Sequence, residues 1–189
     1  VSIREMLRAE GGALHAQVDA AFGRYALHSR SDYTAFLQAH AQALFGLEAL
    51  LERSGIERLL PDWAERRRTQ ALGADLQCLQ VAAPQPEVFE RTLDEGECWG
   101  VAYVLEGSRL GSRLLDRHVG ESPDEGVREA RAYLGHVPPK GAWPAFLERL
   151  DHAGGDAALH PAMLAGQRLA FTIFLAAGRR YAPGTAPLP

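Results

Sequence analysis

The sequence predicts an all-α, multi-helix single domain. Apolar residues recur at three- and four-residue spacing along nearly every long segment, while the alternation expected of strands is scarce. The breaks at Pro84-Gln85-Pro86, Pro138-Pro139 and Gly154-Gly155 are short connectors rather than domain linkers. A chain of 189 residues is long enough to bury one real core. The domain is expected to span 1–181, with 182–189 as a disordered tail.

Ser2 is placed to cap a first helix running to about Phe22, and Glu5 three residues on completes a capping-box pattern. A second helix begins near Ser31-Asp32, carries Tyr33, Phe36, Leu37, Leu44, Leu47 and Leu51, and stops near Ser54-Gly55. Pro61-Asp62 opens a third, with Trp63, Ala64, Leu72 and Leu76 inward. Arg66, Arg67 and Arg68 are expected to face water. The fourth is expected from about Pro86 to His118. Shorter pieces follow at Asp124 to Leu134 and Ala142 to His152, and a last long helix at Leu159 to Tyr181 ends before Pro183.

The fourth helix holds the most informative pattern. Gly96, Gly100, Gly107 and Gly111 are spaced by four, seven and four residues and so share one face. Each interior glycine costs a helix ~1 kcal/mol relative to alanine. Four of them imply a compensating close approach, either of a flat ligand or of another helix backbone, and spacing alone leaves both open.

Composition narrows the function classes. Hydrophobic residues make up 47% and charged residues 23%, the balance of an ordinary globular protein. The formal net charge of −4 gives no general attraction to nucleic acid or to an anionic membrane. Cys78 and Cys98 are too few for a disulfide framework and are not spaced as a zinc site, which favours a reducing compartment. Both are expected as inert core residues. No signal peptide or transmembrane stretch is visible, so a cytoplasmic setting is expected.

The chain lacks a Walker loop, a CxxC pair, a zincin motif and the Glu-x-x-His pairs of a di-iron site. Histidine is therefore the first place to look. Of seven, His15 has the most unusual neighbours, with Arg8, Gly11 and Gly12 before it and Asp19 four residues after. The two glycines are expected to clear space over the imidazole, Asp19 to fix its tautomer, and Arg8 to reach a ligand carboxylate. An ordinary helix histidine bonded to a nearby acid fits the same local spacing.

Leu7 to Asp19, with Arg8-Ala9-Glu10-Gly11-Gly12 ahead of His15, together with Tyr103-Val104-Leu105-Glu106-Gly107-Ser108-Arg109-Leu110-Gly111, resembles the heme oxygenase family. The likeness is to its bacterial, phytochrome-associated branch. Trp63, Arg66, Leu72, Asp75 and Leu76, and the run Trp143 to Leu147, also resemble segments of that branch. The resemblance implies a heme oxygenase-like helical fold and covers about Leu7 to Tyr181. It implies that His15 is the proximal iron ligand and Asp19 the acid one turn later. Gly107 and Gly111 would let the distal helix touch the porphyrin. Tyr103 belongs to the same distal motif. Three positions depart from the pattern. Ser112 stands where a second consecutive glycine is usual, Gly11 stands where this branch often has threonine, and Ser108 stands at the place of the distal acid of the animal enzymes, so the serine cannot supply that charge.

The implied reaction consumes oxygen and electrons and gives biliverdin, ferrous iron and carbon monoxide, with heme as cofactor and substrate. Arg8, and secondarily Arg149, would bind propionates; Phe171 and Phe174 would line the pocket. No flavin or nicotinamide fingerprint is present, so electrons must come from an external ferredoxin or flavoprotein reductase. A phytochrome is the implied acceptor of biliverdin. Two other readings remain at this stage: a heme carrier or sensor of the same fold without turnover, and a helical protein that binds no heme.

Overall fold

Ser2 caps α1 (Ile3–Phe22), and the capping box with Glu5 is formed: the Glu5 amide donates to Ser2 Oγ, and Glu5 Oε2 accepts from the Ser2 amide at 2.7 Å. The chain, a computed structural model described over residues 1–184, is built from helices, with no strand among the described residues. α2 (Arg30–Arg53) follows a Ser29 cap and buries Tyr33, Phe36, Leu37, Leu44, Leu47 and Leu51 as expected. Of the expected tail, residues 185–189 lie outside the described residues, whereas Ala182 is buried. No helix among the described residues is long and apolar enough to cross a membrane.

The third expected helix is two. α3 (Trp63–Arg66) ends where Arg67 turns extended, and α4 (Thr69–Cys78) restarts on the far side. The break turns Arg66 and Arg68 inward, leaving them 1% and 2% exposed instead of facing water; only Arg67 keeps partial exposure and pairs with Glu52. Cys78, expected in the core, is exposed at the end of α4, while Cys98 is buried.

The fourth expected helix also starts later. The segment after α4 runs extended across α2, where the Glu87 amide donates to Gln42 O at 3.1 Å and Gly46 leaves room for the Glu87 backbone. Pro84 and Pro86 suit this extended path, since each lacks an amide donor. α5 (Glu95–Gly120) begins only at Asp94, which caps it through a second capping box with Glu97. The next helix, α6 (Glu125–Glu129), is shorter than expected and gives way to a turn held by Asp75, whose carboxylate accepts from the amides of Ala132 and Tyr133, each at 2.8 Å. α7 (Ala142–Ala153) and α8 (His160–Arg180) complete the chain.

α8 is the axis of the molecule. It runs parallel to α1: Gln167 Nε2 donates to Leu7 O at 2.8 Å, His15 stacks on Phe171, and Phe22 lies over Gly178. It also runs parallel to α5, and there the backbones nearly touch. A Cβ on Gly100 would lie 2.0 Å from Met163 O, one on Gly96 3.0 Å from Leu159 O, and one on Gly166 2.1 Å from Glu97 O. The glycine face therefore divides in two. Gly96 and Gly100 belong to helix packing; at Gly111 a Cβ would meet nothing within 4 Å.

This division is testable by chemical denaturation. Gly100→Ala forces a methyl into backbone and is expected to cost about 1–3 kcal/mol or more. Gly111→Ala enters open space and is expected to leave stability unchanged or raise it by up to ~1 kcal/mol through helix propensity. Equal midpoints for the two variants would contradict the close crossing.

Candidate functional site

Beyond the crossing, the C-terminal half of α5 stands away from α1 and a cleft opens between them. Its volume is about 680 Å³, within the usual range for small-molecule sites. Asp19 and Phe22 of α1, Phe36 of α2, and Leu115 and His118 of α5 line it. One helical turn before these lining residues stand His15 on α1 and Gly111 on α5. Gly107, Leu110, Gly111 and Leu114 form a continuous stripe on α5. Leu110 and Leu114 are 65% and 54% exposed, unusual for leucines on a helix that buries its other face.

His15 is held but not enclosed. Its ring stacks on Phe171 at 5.4 Å and an interplanar angle of 15°, and its Nε2 lies 3.5 Å from Asp19 Oδ2. The imidazole side chain remains 62% exposed, so a ring nitrogen is accessible to a ligand. Gly12 leaves open space beside it. Gly11 does not: a Cβ there would sit 2.4 Å from Gln167 Nε2, so this glycine makes room for Gln167 rather than for a ring over the histidine. Phe171 thus lies on the α1 side, under His15, and Phe174 packs edge-on against His40.

On α5, Gly107 makes ordinary contact with Trp143, 3.7 Å from a built Cβ. Ser108 Oγ donates to Leu105 O at 2.7 Å and accepts from Arg68 Nη2 at 3.0 Å; Ser112 Oγ donates back to Ser108 O at 3.3 Å. The remaining expected residues are more dispersed. Tyr103 packs on Trp143 of α7, their rings 6.2 Å apart. Arg8 is exposed on α1, and Arg149 is exposed on α7 with Asp62 as a charge neighbour. His15, Asp19 and Phe171 thus come together on one side, and Ser108, Gly111 and Ser112 on the other.

Beneath α5 lies a buried polar cluster that spacing did not announce. Arg66 Nη1 donates to Glu106 Oε2 at 2.7 Å and its Nε to Asp62 Oδ1 at 2.7 Å. Arg109 donates to Glu106 Oε1, to Arg66 O and to His136 Nδ1. Arginine can only donate, so His136 Nδ1 accepts and its proton sits on Nε2. Burial, and then the charges of Arg109 and Arg68, hold His136 below its ordinary pKa. His40, bonded at 2.7 Å to the Tyr133 hydroxyl and packed among Phe22, Phe36 and Phe174, is pushed down to about 3, chiefly by burial and then by Arg68. The available signals were slight: Asp62 and Arg66 four apart, Glu106 and Arg109 three apart.

No family model matches the chain. A heme oxygenase of Xanthomonas campestris pv. campestris (strain 8004) is 31% identical over 148 residues, covering 75% of this chain and 86% of that protein. Heme oxygenase PigA of Pseudomonas aeruginosa is 35% identical over 89 residues, 46% of this chain and 45% of that one. Among solved structures, the NO- and CO-bound heme oxygenase of Neisseria meningitidis superposes over 100% of both chains with a TM-score of 0.75 at 20% identity, a likeness of fold.

The depressed pKa of His40 has a consequence for acid stability. The unfolded chain protonates this histidine near 6.5, whereas the folded chain resists until about 3. Between those values the unfolded state binds more protons, so folding stability falls as pH is lowered. His40→Gln, which cannot titrate, is expected to lose less stability than wild type between about pH 7 and pH 4. Parallel stability–pH curves would contradict the assignment.

Proposed function

The chain belongs to the heme oxygenase family, and on that premise we propose that it cleaves heme to biliverdin, ferrous iron and carbon monoxide in the cleft between α1 and α5, with His15 as the residue that would hold the iron. It is a heme-cleaving enzyme, and enzymes of this family take their electrons from an external reductase. The observation that carries the site assignment is the pairing of an accessible imidazole on α1 with an open glycine and two exposed leucines on α5.

These residues fit a heme. Exposed apolar surface on α5 suits a flat macrocycle, and a helix without Cβ atoms at Gly107 and Gly111 lets the backbone approach it. When bound, heme supplies the iron and the oxygen chemistry. The protein's part is to bind, orient and hydrate. His15 presents an accessible ring nitrogen, and Asp19 holds the ring against Phe171 and sets which nitrogen is free. Nε2 is the nitrogen nearer Asp19, so ligation by Nε2 requires that contact to yield.

Arg8, exposed two turns before His15, is proposed as the propionate partner that sets in-plane rotation; Arg149 is the second candidate. Ser108 and Ser112 place hydroxyl groups on the α5 side, where ordered water can be held. A ferredoxin or flavoprotein reductase is the proposed donor and a phytochrome the proposed acceptor of biliverdin. Two free cysteines suit a reducing, cytoplasmic setting.

The test is an absorption titration with hemin followed by reductant under air, for wild type and His15→Ala. Wild type is expected to give a Soret band that decays to a biliverdin spectrum, with the ligated band lost in the variant. A wild-type complex that survives reduction in air would instead mark a heme carrier. An unaltered Soret band in His15→Ala would remove His15 as ligand.

A further inference from the structure

α7 bridges from α1 to α5 at the end of the pair away from Phe22 and Leu115. Ala142, Phe146 and Leu150 are its buried face. Trp143, Leu147 and Asp151 follow at four-residue spacing along a neighbouring face. That face meets α1 at one end, where Arg4 Nε donates to Asp151 Oδ1 at 2.8 Å and Ile3 lies against Gly154. It meets α5 at the other, where the tip of the Trp143 indole is 3.7 Å from a Cβ built on Gly107 and the Tyr103 ring is 6.2 Å away. α7 is a bar across one end of the slot between the two helices.

The indole is held from behind. It stacks on Phe146 at 5.8 Å and 17°, and Phe146 is fully buried against Trp99. Arg66 Nη2 donates to Ala142 O at 3.2 Å, which anchors the first turn of α7. Trp143 itself is only half-buried, so part of its ring is free to meet a ligand.

The ligand face of α5 therefore has a closed end and an open run. A Cβ on Gly107 would meet only Trp143, one on Gly111 nothing within 4 Å, and the helix continues to Leu115 and His118 in the cleft. From Gly107 to His118 is eleven residues, a rise of about 16 Å. That length matches a porphyrin with its side groups. A macrocycle lying on Gly107 and Gly111 cannot slide toward the start of α5 without striking the indole. Trp143 and Leu147 offer apolar surface there, which suits a vinyl-bearing edge; an ionised propionate would lose water and gain no partner. Arg8 and Arg149 are exposed, and would hold propionates out toward solvent instead.

We propose that Trp143 is a specificity-determining residue of the heme site. Its indole is the end stop that receives the vinyl-bearing edge of the macrocycle, fixing in-plane rotation and with it the meso carbon presented for cleavage. The proposal rests on the heme site assigned above.

Two measurements test it, and neither needs turnover. Proton NMR of the ferric hemin–cyanide complex reads the seating from the heme-methyl shifts. Wild type is expected to give one dominant set, and Trp143→Ala a second set of at least about a tenth of the signal, as when two seats come within tenfold of each other. The second measurement compares hemin with iron deuteroporphyrin, which carries hydrogens in place of the vinyl groups. Trp143→Ala is expected to weaken hemin about tenfold and iron deuteroporphyrin by no more than about threefold. Trp143→Phe keeps a ring on Phe146 but withdraws the tip from Gly107, so it preserves the core and is expected to add the same second set of methyl shifts. Unchanged methyl shifts in both variants overturn the proposal and leave the heme site intact, even where the apoprotein melts lower, since a purely packing role predicts that. Equal weakening of the two porphyrins also overturns it. No saturable hemin complex in wild type overturns the site assignment and this proposal together.

Discussion

The close crossing of α5 and α8 governs the rest of the molecule. Gly96 and Gly100 from one helix and Gly166 from the other bring the two backbones to a separation that no side chain would permit. Helices pinned this tightly at one end of a long pair leave the other end free to diverge. α1 lies along the opposite side of α8, registered by Gln167 against Gly11 and Leu7. The consequence is a cleft whose walls are the end of α1, the connection into α2 and the far half of α5. The glycines cost helix propensity, and the contacts made at the crossing offset that cost.

The open wall needs support from behind, because a helix that exposes Leu110 and Leu114 cannot rely on that face for packing. The buried cluster provides it. Glu106 binds both Arg66 and Arg109, tying α5 to the break between α3 and α4 and to the turn that carries His136. Removing one member of such a cluster strands a buried charge, so it acts as a unit. The same break delivers Arg68 to Ser108.

The local signals in the sequence were the dependable ones. Ser2 with Glu5 is a contact within one turn, and it forms as its spacing implies. Asp94 with Glu97 is the same signal. It marks the start of α5 better than Pro86 does, because the segment before it is held by α2 rather than by its own propensity. The glycine spacing correctly indicated close approach but could not divide packing from ligand. That division depends on Gly166, more than fifty residues away in the chain. The inward turn of Arg66 and Arg68 was illegible for a similar reason: three consecutive arginines look solvated until Glu106 and Leu105 O, from another helix, are placed beside them. His15, Asp19 and Phe171 were legible as candidates; that the imidazole is stacked yet exposed required the tertiary structure.

A crystal structure of the hemin complex tests the account most directly. The prediction is a porphyrin lying between α1 and α5, with iron bonded to a His15 ring nitrogen and the opposite face against Gly107 and Gly111. Iron bonded instead to His28 or His118 at the other end of the cleft, or a porphyrin edge seated away from Gly111, would contradict it.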